Sequence, residues 1–351
     1  MISILIPTLN RSEFIERSLR YYFSVGFSEC IYIGDSSNDL HRQKNENNIS
    51  KYIAKLNIKY DYFPQNDYPN EGLCLKEMGM RANTPYVVFS GDDDFLVPNT
   101  LKKCTAFLET YQDFGAVNGI SLWVRLDNDH VQGQVVEAGY VGAHRLTSSQ
   151  ASERWIGYCR QSISTQYYVH RKEIWQQAYE YMNMVPVKYL GPEFMPCSLT
   201  AIAGKITEIE GLATVFQQRN NKNFGWHVSS MYHLMLDPRW SVAVANLKKA
   251  ISNAISSHDN IHLEESNKIF DREFWRHMIF MLSWHYMLHH DEPLNPYDKL
   301  KRNKALVNFY NRIRQIRAGK SHREISLINL LQPNHQLYGD FLPIYNCLIG
   351  D

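Results

Sequence analysis

Three consecutive carboxylates, Asp92, Asp93 and Asp94, follow the apolar run Tyr86-Val87-Val88-Phe89 and the pair Ser90-Gly91. Adjacent negative charges repel one another at neutral pH. Their proximity is relieved by a divalent cation or by hydrogen bonds that neutralise them. The apolar run reads as a buried strand, and in an open α/β sheet ligands bind at the C-terminal ends of strands. The bland alternative is a solvated acidic turn ahead of a helix starting at Pro98-Asn99-Thr100-Leu101. This stretch alone leaves both readings open.

The elements that must position these carboxylates are legible upstream. Ile2 to Ile6, Cys30 to Gly34, Ile58 to Tyr62 and Tyr86 to Ser90 read as strands. A helix opens at Ser12, taken as its N-cap, with Ile15, Leu19, Tyr22 and Phe23 on one apolar face. A polar helical segment runs to about Leu56, and another helix runs from Asn70-Glu71-Gly72 to about Ala82. A helix over 98–111 and a strand from Ala116 to Leu126 continue the alternation, which is that of a parallel sheet wrapped by helices. In such a sheet the loops Thr8 to Arg11, Asp35 to Asp39 and Asp92 to Asp94 lie on one edge and line one crevice. That crevice carries several carboxylates, a cation from Arg11 and another from Lys76 or Arg81, which suits a nucleotide diphosphate with a metal ion. Neither G-x-G-x-x-G nor G-x-x-x-x-G-K-[ST] follows the first strand, which argues against a dinucleotide Rossmann domain and a P-loop NTPase.

Composition sets wider bounds. With 351 residues, 44% hydrophobic and 21% charged, the chain is long and apolar enough for one large domain or two smaller ones. A net charge of +1 gives no global pull towards nucleic acid. Six scattered cysteines without a C-x-x-C pair read as buried or idle thiols of a reducing compartment. The opening Met1 to Pro7 lacks the basic region and length of a signal peptide, and Met278 to Leu288 is too short to span a bilayer. The expected setting is cytoplasmic.

Four stretches, in order, resemble the family 2 glycosyltransferases of the GT-A fold. Ile4-Leu5-Ile6-Pro7-Thr8-Leu9-Asn10-Arg11 is similar to that family's opening, and Ile31-Tyr32-Ile33-Gly34-Asp35-Ser36-Ser37-Asn38-Asp39 to its D-x-S-x-D loop. Asn70-x-Gly72-x-x-x-Lys76-x-x-Gly79 resembles its N-x-G-x-x-x-R-N-x-G helix, with Lys in place of Arg, and Phe89 to Asp94 resembles its DXD element. The resemblance implies a mostly parallel central sheet flanked by helices. It implies that Thr8, Asn10 and Arg11 meet the nucleotide, that Asp35 accepts from the base, usually uracil, and that Lys76 lies near base and phosphates. Asp92 would meet the ribose. Mn2+ or Mg2+ would bind Asp94 or its neighbours Asp93 and Asp92, the choice among them staying open. Asp39 reads as ordinary turn chemistry.

Further along, Asp127-Asn128-Asp129 reads as a turn between Ile120–Leu126 and Val131–Val136. Helices are expected over 147–159, 171–184 and 193–203, with strands over 166–170, 206–209 and 212–217. Gly191-Pro192-Glu193 resembles the family's G-x-D/E element, which implies Glu193 as catalytic base; the bland alternative is a glutamate favoring a helix N-terminus. A polar loop at 218–227 resembles the family's diphosphate loop, with Arg219, Lys222 and His227 as candidates; the bland alternative is an exposed polar loop, which for His227 alone is the preferred reading.

Residues 1–227 are thus read as the transferase domain, with a nucleotide half to 115, and 228–351 as a helical C-terminal region. There, 240–255, 264–288 and 296–317 read as helices, and Trp275, Ile279, Leu282 and Tyr286 as a buried face. The acid-free basic stretch 299–323 is either a solvated helix or a surface for anionic membrane or an anionic acceptor. The expected activity is inverting, metal-dependent transfer from a nucleotide-diphosphate sugar, UDP-sugar favoured, to a glycan or lipid-linked acceptor in surface polysaccharide or glycoconjugate synthesis. A nucleotidyltransferase and a non-catalytic nucleotide-sugar scaffold are the rivals.

Overall fold

The computed structural model describes residues 1–68, 70–142, 145–161, 164–218, 234–289 and 325–350, with 283–289 described through their backbone alone. Nine strands form one sheet: β1 Ile2–Thr8, β2 Cys30–Asp35, β3 Ile58–Tyr62, β4 Tyr86–Phe89, β5 Phe95–Leu96, β6 Phe114–Leu126, β7 Val135–Val141, β8 Val169–Arg171 and β9 Lys205–Gln218. Their order is β3-β2-β1-β4-β8-β6-β9-β5, with β7 paired to β6. The chain is of the expected α/β class. β3, β2, β1 and β4 are mutually parallel, while β8 is antiparallel to both β4 and β6. Parallel pairing returns between β6 and β9, so the second half of the sheet is mixed.

Strands buried on both faces divide their residues by the two-residue period of the pleat. Leu5, Tyr32, Val87 and Phe89 face one core, and Ile4, Ile6, Ile31, Ile33 and Val88 face the other. The first core is closed by α3 Glu71–Arg81, α5 Ala151–Gln161, α6 Lys172–Glu180 and α7 Met195–Ala203. The second is closed by α1 Ser12–Ser24, α2 Asp39–Tyr52 and α4 Pro98–Thr110. The C-terminal helices join these same cores. Leu247, Ile251 and Ile255 of α8 Trp240–Asp259, with Phe270, Phe274 and Met278 of α9 Leu263–His289, pack into the first. After the short α10 Leu327–Leu330, α11 Tyr338–Ile349 places Phe341, Ile344 and Leu348 in the second. No described helix is long and apolar enough to cross a membrane.

Several local expectations are corrected. Ser12 is not the N-cap of α1: Arg11 holds that position, without a side-chain cap, and the Ser12 hydroxyl meets His41 Nδ1 at 2.9 Å. Phe23 is 43% exposed and leaves the apolar face of α1. The hairpin strand starts at Val135, because the Asp127 side chain and backbone bond Gln134 and widen the turn. The expected strands 206–209 and 212–217 are one strand, β9, with a register shift near Gly211, whose φ is +114°. Trp275 and Ile279 do not form the buried face of α9, being 43% and 62% exposed. The helix is apolar on two faces, and it is Phe270, Phe274, His277 and Met278 that turn inward. The expected helix 296–317 lies outside the described residues, as does the basic stretch 299–323.

Candidate active site

The ends of β1, β2 and β4 lie on one edge, with Thr8 opposite Asp35 in the parallel register and Ser90 N donating to Leu5 O. Thr8 Oγ1 donates to Asp92 Oδ2 at 2.8 Å. Arg11 forks across the acidic run, with Nη1 2.6 Å from Asp92 and Nη2 2.6 Å from Asp93. Asp94 turns inward, accepting from Tyr167 OH at 2.6 Å and from the Gln217 backbone N–H at 3.0 Å. Gly91 makes this folding back possible, since a Cβ there would lie 2.6 Å from Asp94 Oδ2. Burial, then Asp93, raises the Asp94 carboxyl well above the usual carboxylate range, against the hydrogen bonds that favor its ion. Burial opposes the charge on Arg11, but Asp92 and Asp93 outweigh it and raise its pKa.

Beneath the run lies Arg17, fully buried and absent from the sequence-derived set. Its guanidinium donates to Gln217 Oε1 at 2.6 Å and to the Asp93 carbonyl at 2.7 Å, between the rings of Phe14 and Phe95. Burial lowers its pKa to about 10, so it remains a cation at neutral pH. The available signal was an arginine at helical spacing between Phe14 and Tyr21 on a buried stripe of α1.

Glu193 comes within electrostatic reach of Glu71 from another element. It sits in a π-helical turn, Leu190–Phe194, ahead of α7 rather than in the first turn of that helix. The turn begins at Tyr189, where φ is +70° and ψ is −57° and Leu190 N donates to Lys188 O, a γ-turn on a non-glycine residue. Such strain costs on the order of 1–3 kcal/mol and persists only where surrounding contacts over-determine it. Gly191 permits the fold, because a Cβ there would lie 2.1 Å from Val185 O. Gln166 Nε2 ties the turn down, donating to Pro192 O and Tyr179 OH at 2.7 Å each. Burial, then Glu71, raises Glu193 to about 8.

Glu71 links the two sides. It opens α3 under an N-cap from Asn70, whose side chain accepts from Leu73 N at 3.1 Å. Gly72 lets that helix end press on the Glu193 turn, since a Cβ there would lie 2.8 Å from Pro192. Glu71 has exposed surface yet is crowded by the protein around it. That crowding, then Asp92 and Asp93, raises it to about 7, with Arg11 opposing. Glu71 therefore lies within electrostatic reach of Asp92 and Asp93 on one side and of Glu193 on the other. In the sequence Glu71 reads only as part of a helix start.

The remaining candidates are placed less directly. Asp35 is buried and accepts from Ser37 N (2.8 Å), Asn45 Nδ2 (2.7 Å) and Tyr60 OH (2.9 Å). It holds its loop through its own protein contacts. Asn10, at φ +56°, bonds Ser37 and Asn38 and joins the first two loops. Asp39 is exposed and paired with Arg42, in line with a structural role. Lys76 is not drawn to the acidic run: its Nζ donates to Glu180 O at 3.1 Å. Arg219, Lys222 and His227 lie outside the described residues.

Among the described residues no three His, Cys, Asp or Glu side chains form a ready-made metal cage. An ion in a nucleotide site is held by one or two carboxylates plus phosphate oxygens, not by a full protein cage. The hard oxygen donors of the acidic run suit Mg2+ or Mn2+. Burial first, and the neighbouring carboxylates second, raise Glu71 and Asp94. The donor set fits such an ion.

No protein-family model matches the sequence, and no curated protein matches it. Solved structures with a similar path include TarS of S. aureus, 14% identical, covering 99% of this chain and 55% of that one, with a TM-score of 0.48. This chain thus spans about half the length of that protein. The 1–349 piece of TarS in complex with UDP-GlcNAc is 14% identical over 92% of this chain and 93% of that one, with a TM-score of 0.41. The mannosyltransferase PcManGT from Pyrobaculum calidifontis, in complex with GDP-Man and Mn2+, is 11% identical over 91% of this chain and 88% of that one, with a TM-score of 0.42.

Proposed function

We propose that this chain is an inverting, metal-dependent glycosyltransferase. It moves a sugar from a nucleotide-diphosphate donor, UDP-sugar favoured, to a hydroxyl of a glycan or lipid-linked acceptor. The observation that supports the reading is that Glu71 lies within electrostatic reach of both Asp92 and Asp93 and of Glu193, linking the acidic run to the glutamate. A base works best with a pKa near the working pH, and Glu193 is raised to about 8.

In this reading Glu193 takes the proton of the acceptor hydroxyl as that oxygen forms its bond to the anomeric carbon. Attack comes from the face opposite the nucleotide, so the configuration inverts. The bond from that carbon to the diphosphate oxygen breaks, and its electron pair leaves with the diphosphate. Asp92 and Asp94 would hold Mn2+ or Mg2+, which when bound offsets charge on the departing diphosphate. Thr8 and Arg11 fix Asp92 and Asp93, and Asn10 and Asp35 hold the first two loops in register for the nucleoside.

A thermal-shift series of nucleotide sugars with and without Mn2+ tests the donor half of the proposal, because a ligand that binds only the folded state raises Tm by mass action. A UDP-sugar is expected to raise Tm more with Mn2+ than without it. NMR of the product is expected to show the anomeric configuration inverted. Indifference to every nucleotide sugar, with or without the ion, would contradict the donor assignment.

A further inference from the structure

The turn that carries Glu193 is strained, and its anchor lies outside these carboxyl groups. The Tyr189 hydroxyl bonds His277 Nε2. On the other side of the ring, His277 Nδ1 lies 3.2 Å from the Cys159 carbonyl oxygen. A carbonyl only accepts, so Nδ1 carries the proton and Nε2 accepts from the tyrosine. The two rings are parallel within 9°, with centroids 5.9 Å apart, and Phe194 packs on His277 at 4.8 Å. Tyr189 is 5% exposed and His277 1%. Leu190 and Gly191 follow directly from Tyr189, so the dihedral angles at Tyr189 set the direction in which Glu193 points.

We propose that His277, on the C-terminal helix α9, is a positioning residue: through the Tyr189 hydroxyl it holds the γ-turn that sets where Glu193 points. The part given to Glu193 rests on the transferase reading; the control of its turn does not. The C-terminal helices then belong to the active site, although none of their described residues reaches the acidic run. Burial keeps His277 neutral across the physiological range, lowering it to about 4, so this anchor does not switch near neutrality. The titratable groups facing Glu193 are Glu71 from α3, Tyr158 from α5, Tyr179 from α6, Cys197 from α7 and Tyr189 itself.

The test compares wild type with Tyr189→Phe, His277→Ala and His277→Gln. Glutamine keeps an acceptor for Tyr189 and a donor for the Cys159 carbonyl. Two readouts are taken on folded protein: the titration midpoint of the Glu193 carboxyl, followed by 13C NMR of glutamate-labelled protein, and kcat against donor KM. In wild type the midpoint is expected near 8. In Tyr189→Phe and His277→Ala it is expected to fall towards the ordinary range as the turn loosens. kcat is expected to drop about 10- to 100-fold with donor KM unchanged, the cost of a misplaced reacting group. His277→Gln is expected to keep most of both values. Unchanged midpoint and kcat in Tyr189→Phe overturn the inference, and this variant decides alone if His277→Ala does not fold. A wild type that transfers no sugar, with the midpoint still moving in Tyr189→Phe, contradicts the transferase reading and leaves the anchored turn standing.

Discussion

The two sides of the candidate site are built differently. Thr8, Arg11 and the Asp92–Asp94 run sit on loops leaving adjacent parallel strands, so sheet register brings them together. Glu193 has no strand beneath it. It rides on a strained turn held by Gln166, by the end of α3 against Pro192, and by His277, 88 positions from Tyr189. A side built on register tolerates change at a distance. A side built on strain fails when a remote contact is lost, because nothing local prefers its conformation.

The largest stability effect is expected on the strand-end side, where Arg17 is the one fully buried cation under the acidic run among the described residues. Arg17→Met removes the donors to Gln217 Oε1 and to the Asp93 carbonyl, and each buried acceptor left unpaired costs about 1–3 kcal/mol. Denaturant unfolding checks this. If the loss is under 1 kcal/mol, the acidic run is not held from below as described.

Acid is expected to weaken the other side next. His170 and His277 are buried neutral, each lowered to about 4 by burial. The unfolded chain binds protons at about 6.5, so in that window it binds more than the folded chain does. Their stability contribution is complete above about 6.5 and is lost as pH falls towards 4, up to about 3 kcal/mol each. Glu71 and Glu193 act with the opposite sign. Raised to about 7 and about 8, they favor the folded state below the ordinary carboxylate range, and that contribution is lost as pH rises through those values. Unfolding in His277→Gln is expected to be less acid-sensitive than in wild type.

A smaller effect sharpens the contrast at the point where the sides touch. Gly72→Ala places a Cβ 2.4 Å from Met182 Sδ and 2.8 Å from Pro192, forcing the end of α3 off the Glu193 turn. Overpacking of this kind costs about 1–3 kcal/mol. The accompanying kcat loss is expected to exceed any change in donor KM. The equivalent change at the exposed Asp39, to Ala, is expected to leave both within about 0.5 kcal/mol of wild type.

The same contrast decides what the sequence could reveal. The strand-end side is contiguous: an apolar run ends, a polar loop follows, and parallel pairing does the rest, so Thr8, Arg11 and Asp92–Asp94 are readable one loop at a time. Asp35 was singled out, but its saturation by Asn45 and Tyr60 depends on packing between α2 and β3 that no local pattern encodes. Lys76 sits at the expected motif position, while its ammonium group follows the nearest carbonyl on α6. On the other side, a short motif marked Glu193, but its π turn, the γ-turn at Tyr189 and the His277 anchor arise from tertiary contacts alone. On α9 apolar residues at helical spacing occur on two sides, and periodicity does not say which side meets a core.

The central claim is that Glu193 removes the acceptor proton while the strand-end loops hold the donor. Its most direct test is the turnover of Glu193→Gln with a sugar donor that shifts the wild-type Tm, with donor binding measured on the same sample. Glutamine keeps the size of the side chain and removes the base. The expected result is a donor Tm shift like that of wild type and a kcat reduced about 10²- to 10⁴-fold. Full turnover in Glu193→Gln would contradict the account.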